Sequence, residues 1–332
     1  RLEYDDLAGY TTKIDITKRG YSGSVSEIKG SGSPFILSLT GEGETDKFTS
    51  VLPSKATLNL TSETEGFFSD LYTNDRNLFR VEYYKDFGSG NELLWTGKIL
   101  PFNYQEQIKA SPYYLSVSAS DGLPELKDLY LIHQDGQKFF GTVSLIKLIA
   151  YCLSFLKLDL NIMVACNLYA TTMNTADTDD PLDQAYIDYE TFYLATDQPS
   201  LMFVLSSVLD AFNVRIIQWQ NKWNIVRTEE VGDTIAYREF NSLGDYSSNS
   251  TINLLKDVQY PDQGGIMWTS FPNRELRKGY GTIKVNYKLG LKPNLFNNGD
   301  FSLKSVFVGN NQYSFTIDRK STRLNSSHGI IS

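Results

Sequence analysis

Histidine and cysteine are nearly absent from this chain of 332 residues, which has two of each. Cys152 and Cys166 sit in the apolar stretches LIAYCLSFL and NIMVACNLY. They read as two buried thiols rather than a disulfide framework or a metal knuckle. That usage fits a reducing compartment or an assembly built inside a cell. With so few nitrogen and sulfur donors, a hydrolytic zinc set is excluded. A Ser-His-Asp triad would have to be built around His133, and no G-x-S-x-G elbow accompanies it. His133 follows YLI and precedes Gln134, Asp135 and Gly136, the setting of a surface or locally hydrogen-bonded histidine.

Other absences narrow the field further. No apolar run approaches the ~18 residues of a membrane span; Lys147, Lys157 and Asp159 break the longest ones. A basic excess is missing too: the formal net charge is -8, which weighs against binding a nucleic-acid backbone. The glycines of GSGSPF and DFGSGNE belong to turns and lack the Gly-Lys-Ser/Thr ending of a phosphate loop. No secretory leader opens the chain, and it begins on Arg1, so a preceding stretch is expected to be missing or trimmed. No cofactor is expected.

What the chain does have is aromatic and strand-forming sequence. Tyr numbers 21 and Phe 19, and 41% of residues are apolar, enough for a substantial core. TTKIDITKRGY, PFILSLTG, KATLNLTS, FRVEYYKD and LLWTGKI read as strands of an antiparallel array. In KATLNLTS, Ala56, Leu58 and Leu60 share one face. YYLSVSASDGL sets Leu115, Val117 and Ala119 against Ser116, Ser118 and Ser120. Asp-Gly then turns the chain into the helical turn PELKDL. Spacing of Leu145, Leu148, Ile149, Cys152, Leu153 and Leu156 predicts an amphipathic helix within 142–160. A second helix is predicted from Ser200 to Phe212, with its cap open among residues near Asp197 and Pro199. VRIIQWQNKWNIVRTEE then reads as a hairpin turning at Gln-Asn-Lys.

The fold class expected is mainly β with inserted α (α+β), built of β-barrel or β-sandwich-like domains. The divisions expected are a β-rich domain over 1–131, a mixed α+β domain over 132–240 and a β-rich return over 241–292. Residues 293–317 read as the start of a jelly-roll domain, and 318–332 as a segment foreign to the natural protein.

Few residues offer chemistry. Asp177, Asp179, Asp180 and Asp183 are the one acidic run that resembles a cation loop, but the central Gly and twelfth-position Glu of an EF-hand are missing. A solvated linker is the plainer reading. A glycosidase needs only two carboxylates at a suitable separation, so sequence leaves that class open. Trp95 and Trp223 lie in hairpin-like strands and are expected in the core. Trp219, at a strand end, and Trp268, in GGIMWTSFPN, are candidates for stacking on sugar or on a protein partner.

The segment YYKDFGSGNELLWTGKILPFNYQEQIKASPYYLSVSASDGLPELKDL resembles a region of tail-associated, baseplate-hub-like proteins encoded by phages and prophages of gut Bacteroidota. The matching pieces are Trp95, Thr96 and Gly97, then Pro101 and Tyr104, then Ala119, Asp121, Gly122 and Leu123. FTSVLPSKATLNL, DPLDQAYIDYETF and WNIVRTEE resemble the same architecture, so the likeness runs over roughly 10–290. It implies a β-barrel assembly with inserted helices, forming a ring or symmetric oligomer in a virion tail assembled in the host cytoplasm. Its partners would be copies of itself and other tail proteins, and Trp95, Gly97, Tyr104, Asp121, Gly122 and Trp223 would be interface or structural residues of an interface-bearing domain. It implies no catalytic residue. NLFNNGDF (294–301) resembles the opening strand of jelly-roll carbohydrate-binding modules, which implies a host-surface glycan as a further partner. A carbohydrate-binding recognition protein and a carboxylate-dependent glycan hydrolase are the rival readings. Finally, DRKSTRLNSSHGIIS (318–332) resembles a translated sequencing-library adapter; without it, 28 basic and 38 acidic residues leave a net charge of -10.

Overall fold

The computed structural model describes residues 1–253 apart from 7–8, 40–48, 101–109, 134, 194–197, 228–229 and 231–233, together with the backbone of 282–288 and 312–318. Seven strands make the first sheet: β1 (Leu2–Asp5), β2 (Thr11–Lys18), β3 (Lys29–Leu39), β4 (Ser54–Ser62), β5 (Phe79–Asp86), β6 (Asn91–Ile99) and β7 (Tyr113–Ser120). Their order is β1-β2-β5-β6-β7-β4-β3, all antiparallel. Period-2 alternation builds it. Along β4, Ala56, Leu58 and Leu60 point inward and meet Ala119, Val117 and Leu115 of β7 directly across the ladder. With Ile14, Val81, Trp95 and Tyr113 they form one buried cluster.

The sheet curls so that its two edges meet: the Ile28 amide donates to the Arg1 carbonyl at 2.8 Å, and the Arg1 amino terminus donates to the Ser26 carbonyl at 2.8 Å. The strand ladder nevertheless stays open. The fold is a mixed one dominated by antiparallel sheets, and among the described residues the expected barrel is not closed by pairing.

The second half mixes helices with strands: β8 (Thr142–Ser144), α1 (Leu145–Ser154), β9 (Ile162–Ala165), α2 (Pro181–Gln184), β10 (Tyr186–Asp188), α3 (Glu190–Tyr193), α4 (Leu201–Ala211), β11 (Val214–Trp219), β12 (Lys222–Arg227), β13 (Thr234–Phe240) and β14 (Tyr246–Asn253). Five strands form a sheet in the order β11-β12-β9-β13-β14, with β9 parallel to β12 and the other pairs antiparallel. β8 and β10 pair separately.

Helix α1 is shorter than its pattern suggests. Lys157 and Asp159 take left-handed backbone conformations (φ 55° and 53°), which stop the helix while Leu156, Leu158 and Leu160 remain buried. Helix α4 is capped by Ser200, whose Oγ accepts from the Phe203 amide at 3.2 Å. The hairpin β11–β12 turns on Gln220 and Asn221, both at positive φ, the geometry that suits the twist of two strands. Lys222, expected in that turn, already pairs with Trp219. The second core gathers α1, α4 and the inner faces of β9, β11 and β12, from Leu145 and Leu205 to Trp223 and Ile225.

β15 (Thr282–Lys288) and β16 (Gln312–Asp318) pair as an antiparallel ladder. The remainder of the expected jelly-roll start, including NLFNNGDF, and the adapter-like segment beyond Asp318 lie outside the described residues.

Candidate functional site

The residues of the Trp-Thr-Gly and Ala-x-Asp-Gly-Leu motifs converge where the two sheets meet. β6 pairs with β7 only through Lys98↔Ser120 and Ile99↔Ala119. The rest of β6 on that side is therefore free to take other partners. Trp95 is fully buried, and its indole lies over Gly97, two residues along the same face. A Cβ on Gly97 would stand 2.6 Å from Trp95 Cζ2, nearer still to Cη2, and 2.8 Å from the Ser120 carbonyl oxygen. Only glycine admits both the ring and the neighbouring backbone.

A chain of hydrogen bonds leaves the indole. Trp95 Nε1 donates to Ser54 Oγ at 2.8 Å, and Ser54 Oγ donates to Asp121 Oδ2 at 2.7 Å. The Ser54 amide donates to the same oxygen at 2.6 Å, and the Leu123 amide donates to Oδ1 at 3.0 Å. Burial lifts the Asp121 carboxyl to about 6, opposed by the bonds from Ser54 and Leu123, which favour the charged form. At neutral pH this is a buried carboxylate held wholly by donors.

Gly122 follows at φ 85°, a left-handed turn that sends Leu123 and Leu126 into the second core. Asp121 thus ties the end of β7 back to β4, while the next residues enter the other half of the molecule. Lys98, also buried here, has its ammonium pKa lowered by burial, with Glu125 pulling the other way.

From the second sheet, Gln218 clasps β6. Its Oε1 accepts from the Thr96 amide at 2.9 Å and its Nε2 donates to the Thr96 carbonyl at 2.7 Å, so a side chain imitates a strand partner. Thr96 Oγ1 donates to Asn221 Oδ1 at 2.7 Å, and the Asn221 amide donates to the Leu94 carbonyl at 2.9 Å. The Ile216 amide donates to Ser50 and the Leu52 amide to Ile216, at 2.7 and 3.0 Å, in a parallel bridge. Most of these groups are buried, where an unmade hydrogen bond costs ~1–3 kcal/mol. The contact is a continuous polar seam.

Ser54, Gln218 and Asn221 were not singled out from sequence. Gln218 does leave a signal, a polar residue on the inward parity of Val214 and Ile216. Trp223 is buried in the second core, opposite Gln218 in register. Trp219 ends β11 with 45% of its surface exposed. Tyr104 and Trp268 lie outside the described residues.

The acidic run separates into structural roles. Asp180 caps α2, its Oδ1 accepting from the Leu182 amide at 2.8 Å, and burial raises its carboxyl to about 7 against the pull of Arg238. Asp179 Oδ2 accepts from the Ala176 amide, and the Asp177 carbonyl accepts from Arg238 Nε at 3.1 Å. Asp183 sits in the first turn of α2. Among the described residues, no three His, Cys, Asp or Glu side chains gather as a metal site. His133 stacks on Phe139 with ring centroids 3.6 Å apart. Cys152 and Cys166 are free and buried, which pushes both thiols up to about 12. No described helix is long and apolar enough to cross a membrane.

No family model matches the chain, and no curated protein matches it. Among solved structures, the 43 kDa tail protein of prophage MuSo2 from Shewanella oneidensis is similar at 12% identity, with a TM-score of 0.33. The match covers 64% of this chain and 52% of that one, so the chain spans about half the length of that protein. At that identity and score the likeness fixes neither fold nor function.

Proposed function

We propose that this chain is a structural protein of a bacteriophage or prophage tail, hub-like, whose task is geometrical. It assembles with itself as a ring or symmetric oligomer and with neighbouring tail proteins, positions a host-facing module, and is built into the virion tail in the bacterial cytoplasm. The observation that carries this reading is the seam. Of the residues in which the chain resembles tail-associated proteins, Trp95, Gly97 and Asp121 brace β4, β6 and β7 around Thr96, which Gln218 and Asn221 hold from the second sheet, and Gly122 turns the chain towards the second core. None of them is presented to a substrate. The narrower attribution to viruses of gut Bacteroidota rests on the sequence resemblance alone.

The test is co-expression with the products of the adjoining genes, followed by affinity capture and electron microscopy. Capture of a tail protein in a symmetric particle supports the proposal. A folded chain that stays alone beside every neighbour refutes it.

A second reading, recognition of a host-surface glycan, is favoured by the half-exposed indole of Trp219, since such a ring offers a stacking face. Glycan-array binding lost on Trp219→Ala supports it, and binding indifferent to that change removes it.

A further inference from the structure

We infer that Lys98, Arg80 and Lys157 form a binding site for a small, doubly charged oxyanion of the phosphate class, set where the first sheet meets the exit of α1. The inference stands apart from the proposed assembly role.

Strand register brings the first two cations together. Lys98 of β6 lies directly across the ladder from Arg80 of β5, and opposed side chains of an antiparallel pair share a face. It is also the face of Thr96, two residues back, which Gln218 and Asn221 hold from the second half. Like charges placed opposite each other in this way repel. Arg80 reaches on toward the second half, where its Nη2 donates to the Lys157 carbonyl at 3.0 Å. Lys157 follows α1 with a left-handed backbone (φ 55°), and its own side chain is exposed.

Lys98 is the unusual member. It is only 5% exposed, and among the described residues neither a hydrogen bond nor an ion pair holds its ammonium. Its field is one-sided. Arg80, Lys157 and Arg76 all disfavour its charge, and Glu125 alone favours it. Other carboxylates of this region are engaged: Asp121 by Ser54 and Leu123, Asp75 by Arg19, and Glu82 by the Tyr84 hydroxyl. An ammonium taken out of water without an anion is costly, and burial accordingly lowers the Lys98 pKa. A cationic cluster of this kind also runs against the sign of the chain, whose net charge is -8. A dianion among the three cations cancels their repulsion and supplies the missing acceptors. Lys98 offers it a compact point charge, and Arg80 a planar fork that matches phosphate oxygens. A singly charged carboxylate would leave a surplus of positive charge.

The experiment is titration calorimetry of the full chain with inorganic phosphate at constant ionic strength. Saturable binding at one site is expected, with acetate roughly tenfold weaker. Lys98→Met keeps the length of the side chain and removes its charge. It should weaken phosphate binding by roughly tenfold or more. Without phosphate its Tm should be no lower than that of the wild type, because replacing a buried charge by an apolar chain is often neutral or stabilising. Lys157→Gln, at an exposed position, should weaken phosphate binding by a smaller factor. Phosphate should also raise the Lys98 ammonium pKa, followed by its side-chain nitrogen resonance. A wild type without saturable binding overturns the inference, including the case of a site already filled by a carboxylate of the chain itself. Acetate binding as tightly as phosphate overturns it too, as does a Lys98→Met protein that binds phosphate like the wild type. Should Lys98→Met fail to fold, phosphate binding indifferent to Lys157→Gln is the overturning result.

Discussion

Replacing Gly97 by alanine separates two opposed expectations by sign. In a strand whose backbone suits any residue, Gly→Ala stabilises by about 0.4–1 kcal/mol, because the unfolded chain loses freedom. Here the added methyl would meet Trp95 Cζ2 at 2.6 Å and the Ser120 carbonyl oxygen at 2.8 Å. The carbonyl belongs to β7 where it pairs with β6, so the indole has to give way. Moving it strains a fully packed core, at about 1–3 kcal/mol. It also breaks the Nε1 bond to Ser54 Oγ, for roughly 1 kcal/mol more. Gly97→Ala is therefore expected to destabilise by about 2–4 kcal/mol, a fall in Tm of roughly 4–16 °C at the ~2–4 °C per kcal/mol of a domain this size. Chemical denaturation followed by near-ultraviolet dichroism measures it. The same change in a Trp95→Phe background meets a ring without the Cζ2 and Cη2 atoms and should cost at least ~1 kcal/mol less. A Gly97→Ala protein as stable as the wild type, or strict additivity in that cycle, refutes the reasoning.

Three further outcomes follow from the seam and the buried acids. Gln218→Leu keeps the volume but strands the Thr96 amide and carbonyl; a loss of about 2–5 kcal/mol is expected, with faster hydrogen exchange at Thr96, and unchanged exchange there would contradict the clasp. Asp180 titrates at about 7 when folded, raised by burial above its ordinary value of 3.8, so its contribution to stability is full below pH 4 and is lost as pH rises through 7. Asp180→Asn keeps an N-cap and removes that titration, so its stability relative to wild type should improve from pH 4 to pH 8; a pH-independent difference would refute the assignment. Trp223→Ala should cost about 3–5 kcal/mol as a buried ring, whereas Trp219→Ala, half exposed, should cost far less; similar losses by urea denaturation would overturn that ranking.

The strands of the first sheet were legible because each alternates cleanly: the inward parity of β4 and β7 is visible in Ala56, Leu58, Leu60 and in Leu115, Val117, Ala119. Both longer helices were legible from their three- and four-residue spacing. The short parallel strand β9 was not, because Ile162–Ala165 is apolar on both faces and has no period to read. β14 was hidden for the opposite reason, being polar on both faces. The motif residues Trp95, Gly97, Asp121 and Gly122 stood out in the sequence, but their meeting did not. Ser54 and Gln218 lie 67 and 122 residues from the partners they hold, Asp121 and Thr96, and local pattern carries no trace of such a pairing.

Thr96, braced between Trp95 and Gly97, is clasped by Gln218 and Asn221, and the central claim is that this seam holds one sheet rigidly against the other. Distance measurement between spin labels at Glu65→Cys in the first half and Leu243→Cys in the second, diluted in unlabelled protein, tests it directly, since the native thiols are buried. A single narrow distribution, broadened by Gln218→Ala, is the predicted result. A wild-type distribution as broad as that of the variant would contradict the account.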